Sequence, residues 1–133
     1  MSEVRSQKSS GNCLIIDNIG MLSRLYFYAT VCFVGGGFGY DGLHNILEAA
    51  VYGKPVIFGP EFEKNFEAVE MIANEGAISI ENAVELEQLL NKLFSNEGEI
   101  KKRGDAAKNY VYANSGAAKK IMDFIQKNLL LTN

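Results

Sequence analysis

Residues 31–60 read VCFVGGGFGYDGLHNILEAAVYGKPVIFGP, and their order of residue types spells strand, glycine-rich loop, helix, strand. Val31-Cys32-Phe33-Val34 is an apolar run of the length taken by a strand buried on both faces. Gly35, Gly36, Gly37, Gly39 and Gly42 follow, so Phe38, Tyr40 and Asp41 carry the loop's only side chains. Across residues 43–52, Leu43, Ile46, Leu47 and Ala50 recur at helical spacing. Gly53 is placed to stop that helix, and Pro55 opens the next strand, Val56-Ile57-Phe58. A loop made mostly of backbone and ending at a helix N-terminus offers N–H groups and a positive dipole end, a setting for a phosphate.

Outward from that unit, strands keep alternating with helices. Cys13-Leu14-Ile15-Ile16 reads as a first strand, closed by Asp17-Asn18 and Gly20, and residues 21–29 as a short helix. Residues 62–74 carry a third helical pattern that includes Phe66, followed by a strand at Ala77-Ile78-Ser79-Ile80. Asn82 is placed to cap a helix over residues 83–94, whose stripe is Val84, Leu86, Leu89, Leu90, Leu93 and Phe94. Two further amphipathic helices are expected over residues 100–114 and 117–130, broken at Ser115-Gly116. Such alternation requires crossover connections, so the fold class is α/β: a Rossmann-like parallel sheet flanked by helices. Residues 1–11 are expected to be a disordered lead-in or a cloning remnant, and residues 12–133 one domain.

Composition narrows the function. The 133 residues are 47% hydrophobic and 22% charged, with a net charge of −3. Without a basic block, duplex nucleic acid is not an expected partner. No apolar run reaches the roughly 20 residues of a membrane span, and the polar start has no signal-peptide core. Cys13 and Cys32 lie in apolar runs and are expected to be buried thiols of an intracellular, soluble protein.

The candidate chemistry lies on one rim. Gly37-Phe38-Gly39-Tyr40-Asp41-Gly42 satisfies GxGxxG, but no acid ends the following strand, as a dinucleotide site needs. A phosphate or sugar-phosphate cradle is the leading reading of Gly35, Gly36 and Gly37, and a structural tight turn the other. His44, Asn45 and Glu48 are three and four apart, so a helix puts all three on one face, at the carboxyl end of a parallel strand. There a carboxylate can accept from a ribose diol and His44 can donate to a phosphate; the alternatives are a helix-start histidine and a solvated Glu48. Asp17 follows the first strand, where it either caps the short helix or lines the crevice. Lys64 and Asn65 follow the third strand and are candidates for a phosphate, sugar or base. With His44 the sole histidine, neither a Ser-His-Asp set nor a third metal ligand is present. The catalytic and metal-ligand assignments are therefore empty, and the rim is that of a binding half.

In order along the chain, Asp17-Asn18-Ile19-Gly20, Leu25-Tyr26, Val34-Gly35-Gly36-Gly37, His44-Asn45-x-Leu47-Glu48-x-Ala50, Gly53-Lys54-Pro55-Val56 and Phe58-Gly59-Pro60 resemble the C-terminal domain of 3-deoxy-D-manno-octulosonic acid (Kdo) transferases. Met21 and Tyr40-Asp41-Gly42 stand where many members carry Glu and a basic residue. The resemblance implies a GT-B glycosyltransferase that moves Kdo from CMP-Kdo to the lipid A precursor, inverting and metal-independent, in lipopolysaccharide biosynthesis. It implies that the Gly35–Gly37 loop and the His44 region face the CMP phosphate and sugar, that Glu48 holds the ribose, and that Asn45 meets a donor polar group. No cofactor is expected, since CMP-Kdo is itself the donor substrate. The catalytic carboxylate and the acceptor contacts would belong to an N-terminal domain without counterpart in residues 1–133. The chain is thus expected to be a donor-binding part, inactive alone and able to pair with a copy of itself through an exposed sheet edge. The whole enzyme would work at the cytoplasmic face of the inner membrane. Rival readings are the donor half of a UDP-sugar GT-B transferase and a non-catalytic nucleotide-binding or oligomerisation module.

Overall fold

The computed structural model of the protein describes residues 6–8 and 11–127. Its centre is a three-stranded parallel sheet in the order β3 (Cys32–Phe33), β4 (Val56–Phe58), β5 (Ala77–Ser79). β4 is central and wholly buried because both neighbours come from crossover units and helices cover both faces. Alternation along it sorts the core. Val56 and Phe58 join Cys32, Val34, Ile46, Ala49, Ala50, Ala68, Met71, Ala77, Ala107 and Tyr110 on one face. Ile57 points the other way, into Ile80 and Leu93 with Leu86, Leu89, Leu90 and Ile100 packed around them. The α/β reading with a parallel sheet between helices therefore holds.

Around the sheet lie α1 (Leu22–Leu25), a 3-10 turn (Tyr26–Tyr28), α2 (Leu47–Ala50), α3 (Phe66–Ala73), α4 (Ala83–Phe94) and α5 (Glu97–Lys127). Asn82 caps α4 as its sequence requires, its Oδ1 accepting the Glu85 N–H at 3.0 Å. Val84 and Phe94, though, are 62% and 60% exposed, so the stripe buried by α4 is narrower than its composition suggests.

Four expectations need correction. The strand at β2 (Leu14–Ile16) does not enter the parallel sheet; it pairs antiparallel with β1 (Ser6–Lys8), inside the stretch read as a lead-in. Leu14 and Ile15 are consequently exposed, and so is Cys13, whereas Cys32 is buried as expected. The helix after the glycine loop is four residues long, starting at Leu47, because the His44 N–H is taken by the Gly35 carbonyl at 3.0 Å and residues 43–46 follow that turn. Finally, Ser115-Gly116 does not break the last helix. An interior glycine costs only about 1 kcal/mol relative to alanine, and α5, 31 residues long in all, continues through it to Lys127. Residues 128–130 of the expected last helix lie outside the described residues.

The long helix is seated by glycine contacts. A Cβ on Gly104 would run into the carbonyl oxygen of Gly53, just after α2, and one on Gly76 would lie 2.7 Å from the Ala107 nitrogen. Further along α5, the buried Tyr110 donates its hydroxyl to Glu70 Oε2 at 2.8 Å. Burial, that hydrogen bond and the charges of Glu70 and Glu67 push the Tyr110 pKa up to about 12. Burial likewise pushes the Cys32 thiol up to about 11, against a weaker opposing pull from Lys54. Tyr26 is raised too, by burial first and then by Cys32 and Glu48.

In all three groups folding favours the neutral form. Their contribution is complete below the ordinary values of 9.0 for the thiol and 10.0 for the phenols, and is lost as pH rises through the folded ones. Urea midpoints should therefore fall steeply between about pH 9 and 12. Tyr110→Phe should cost about 1–2 kcal/mol at neutral pH, as the loss of one hydrogen bond to a carboxylate, and should flatten that alkaline limb. An unchanged limb in the variant would show that Tyr110 is not the titrating group.

Candidate functional site

The carboxyl ends of β3 and β4 open onto two loops, the glycine loop after β3 and residues 59–65 after β4. Backbone chemistry joins them. Gly37 accepts the Glu61 N–H at 2.9 Å, and a Cβ on Gly37 would lie 2.8 Å from the Gly59 nitrogen. Gly36 has φ +90, and a Cβ there would sit 2.7 Å from His44 Cδ2 besides meeting the Gly42 carbonyl. Only glycine allows this turn and this approach. The tight-turn account of these glycines is thus part of their explanation, since they bring the two loops together.

Between the loops lies an open cleft of about 650 Å³, lined by Gly39, Tyr40, Gly42 and Leu43 on one side and by Glu61, Glu63, Lys64, Asn65, Phe66 and Glu67 on the other. Its ionic character is mixed: Glu61, Glu63 and Glu67 contribute carboxylates to the lining and Lys64 contributes its one ammonium. The anionic end of a ligand therefore belongs at Lys64 or the loop backbone, and hydroxyl groups suit the carboxylates. Asn65 is the N-cap of α3, its Oδ1 accepting the Ala68 N–H at 3.0 Å, so its carbonyl is already engaged.

Gly35, Gly36, Gly37, His44, Asn45 and Glu48 are not part of the cleft lining; the last three are placed by the short connection from the glycine loop into α2, where Asn45 and His44 are exposed and Glu48 keeps its carboxylate within reach of solvent. His44 and Asn45 precede the short α2 instead of forming its first turn, which removes most of the dipole expected to face a phosphate. Asn45 Oδ1 accepts the Leu47 N–H at 2.9 Å and its Nδ2 donates to Glu48 Oε1 at 3.4 Å, so this pair is brought together as its three-residue spacing requires. Asp17 is exposed and lies outside the cleft lining; α1 has Met21 at its N-cap and no side-chain cap. Because β2 is not a strand of the parallel sheet, topology alone does not carry Asp17 to this rim.

Of the cleft walls, sequence reasoning named Lys64 and Asn65 but assigned no site role to Tyr40 or Phe66. Tyr40 is fully exposed over the cleft, and Phe66, counted as a core position of its helix, is 70% exposed. Asn65 as N-cap was the available signal: it makes Phe66 the first helical residue, while Ala68 and Met71 take the buried positions. Among the described residues no group of three His, Cys, Asp or Glu side chains is arranged to hold a metal, and no helix is long and apolar enough to cross a membrane.

No protein-family model matches the chain. It is 35% identical over 123 residues to the 3-deoxy-D-manno-octulosonic acid transferase of Rickettsia felis, across 90% of this chain and 26% of that protein. The Aquifex aeolicus enzyme of the same name is 38% identical over 92 residues, across 68% of this chain and 26% of that protein. The chain thus spans about a quarter of the length of these relatives. Among solved structures it is similar to the C-terminal CMP-Kdo binding domain of WaaA from Acinetobacter baumannii. That match has a TM-score of 0.65 and 26% identity, and it covers 71% of this chain and 50% of that one.

Proposed function

We propose, from the premise that this chain is homologous to the C-terminal domain of Kdo transferases, glycosyltransferases of the GT-B kind, that it binds the donor CMP-Kdo. The observation that carries this is the match to a CMP-Kdo binding domain over 71% of the chain. The donor is assigned to the rim formed by the two joined loops and the start of α2. Glu48 accepts hydrogen bonds from the ribose diol, each a charge-assisted contact. Lys64, together with the backbone around Gly35, Gly36 and Gly37, takes the phosphate, and His44 donates to it. The sugar extends into the cleft between Tyr40 and the 61–67 segment, whose carboxylates can accept from hydroxyls.

In the complete enzyme a carboxylate outside this chain deprotonates the acceptor hydroxyl of the lipid A precursor. That hydroxyl attacks the anomeric carbon of Kdo from the face opposite the phosphate, and CMP leaves with the bonding pair, inverting the centre. This chain's part is to hold the departing phosphate and orient the sugar, which is electrostatic and positional work. The test is a calorimetric titration of the folded chain with CMP, UMP and NAD. Saturable binding with CMP preferred supports the reading. Equal binding of UMP would move the donor to a UDP-sugar, and binding of NAD alone would overturn it.

A further inference from the structure

Asn45 is exposed, and each end of its amide makes a local hydrogen bond. Its oxygen accepts the Leu47 N–H at 2.9 Å, and its nitrogen donates to Glu48 Oε1 at 3.4 Å. The orientation is not arbitrary, because only the oxygen can accept from a backbone N–H, and that turns the NH₂ group to the carboxylate. The backbone on either side is held as well. The His44 N–H donates to the Gly35 carbonyl at 3.0 Å, and the Ile46 side chain is 1% exposed, in the core. A glutamate at the surface with nothing beside it spreads over many rotamers, and a ligand must then order it.

Resting on the donor-binding reading above, we infer that Asn45 is a positioning residue: it contributes to donor affinity by fixing the Glu48 carboxylate and makes no contact with the donor itself. This departs from a role in which Asn45 meets a polar group of the donor. Its oxygen also supports the start of α2, so a structural role has to be separated from positioning. Asn45→Asp does this. Aspartate still accepts from Leu47, but it has no N–H for Glu48 and sets a second carboxylate beside the first.

The experiment is a CMP titration and thermal melt of the full chain as wild type, Asn45→Asp, Glu48→Gln and the double variant. Asn45→Asp is expected to melt like wild type and to bind CMP about tenfold more weakly. In the Glu48→Gln background the introduced amide can donate to the introduced carboxylate and restore the link with reversed polarity, so Asn45→Asp should cost less than about threefold there. The same fold-loss in both backgrounds, or no loss in either, overturns positioning. Failure of the donor-binding reading has a separate signature: folded wild type that does not bind CMP at all.

Discussion

Gly104→Ala should destabilise the protein by about 1–3 kcal/mol, although alanine is the better helix former by about 1 kcal/mol. The two effects oppose each other, and packing decides. The new methyl meets the Gly53 carbonyl, a backbone atom that cannot rotate away, so either α5 lifts from the α2–β4 turn or that turn moves. Gly116→Ala is the internal control on the same helix, because nothing lies within 4 Å of its Cβ position. It should stabilise by about 0.5–1 kcal/mol through propensity alone. Urea unfolding of the two variants reads the contrast directly. If Gly104→Ala also stabilised, the close seating of α5 described above would be wrong.

Glu48→Ala should weaken CMP binding about 10- to 100-fold. One charge-assisted hydrogen bond contributes about 1.5–3 kcal/mol, and about 1.4 kcal/mol is a factor of ten, so losing a ribose diol contact on this rim reaches that range. Stability should barely change, because α2 is anchored by the buried Ala49 and Ala50 rather than by Glu48. The ribose assignment makes a sharper statement. Wild type should prefer CMP to 2′-deoxy-CMP, and Glu48→Ala should erase that preference. A variant that still discriminates between the two would move the ribose contact to another residue.

How far the sequence carried depended on whether local chemistry or distant contacts decided each element. Val56–Phe58 and Ala83–Phe94 have the bounds read from their residues, because an apolar run before glycine and an asparagine cap are local signals. Residues 43–46 misled: their apolar spacing is helical, but the turn of the glycine loop takes the His44 N–H and delays the helix to Leu47. β2 looked like a sheet strand because nothing in Leu14-Ile15-Ile16 says which strand it will pair with. Its partner Ser6–Lys8 is polar and gave no signal.

The site divided in the same way. The contact of Asn45 with Glu48 agrees with their three-residue spacing, although Asn45 precedes the helix on which that spacing was read, and the meeting of the loops after β3 and β4 follows from parallel topology. Lys64 and Asn65 do lie on the cleft wall. The exposure of Phe66 was not legible, since an aromatic residue in an apolar pattern is usually core. The place of Asp17 depended on a sheet order that β2 does not follow.

The measurement that bears most directly on the donor-binding claim is a titration of the isotopically labelled chain with CMP, followed through its backbone amide NMR shifts. The account predicts saturable shifts concentrated in residues 35–37, 44–48 and 64–65, with α4 silent. A well-dispersed spectrum that CMP leaves unchanged, or shifts that map to α4 and the first turns of α5, would contradict it.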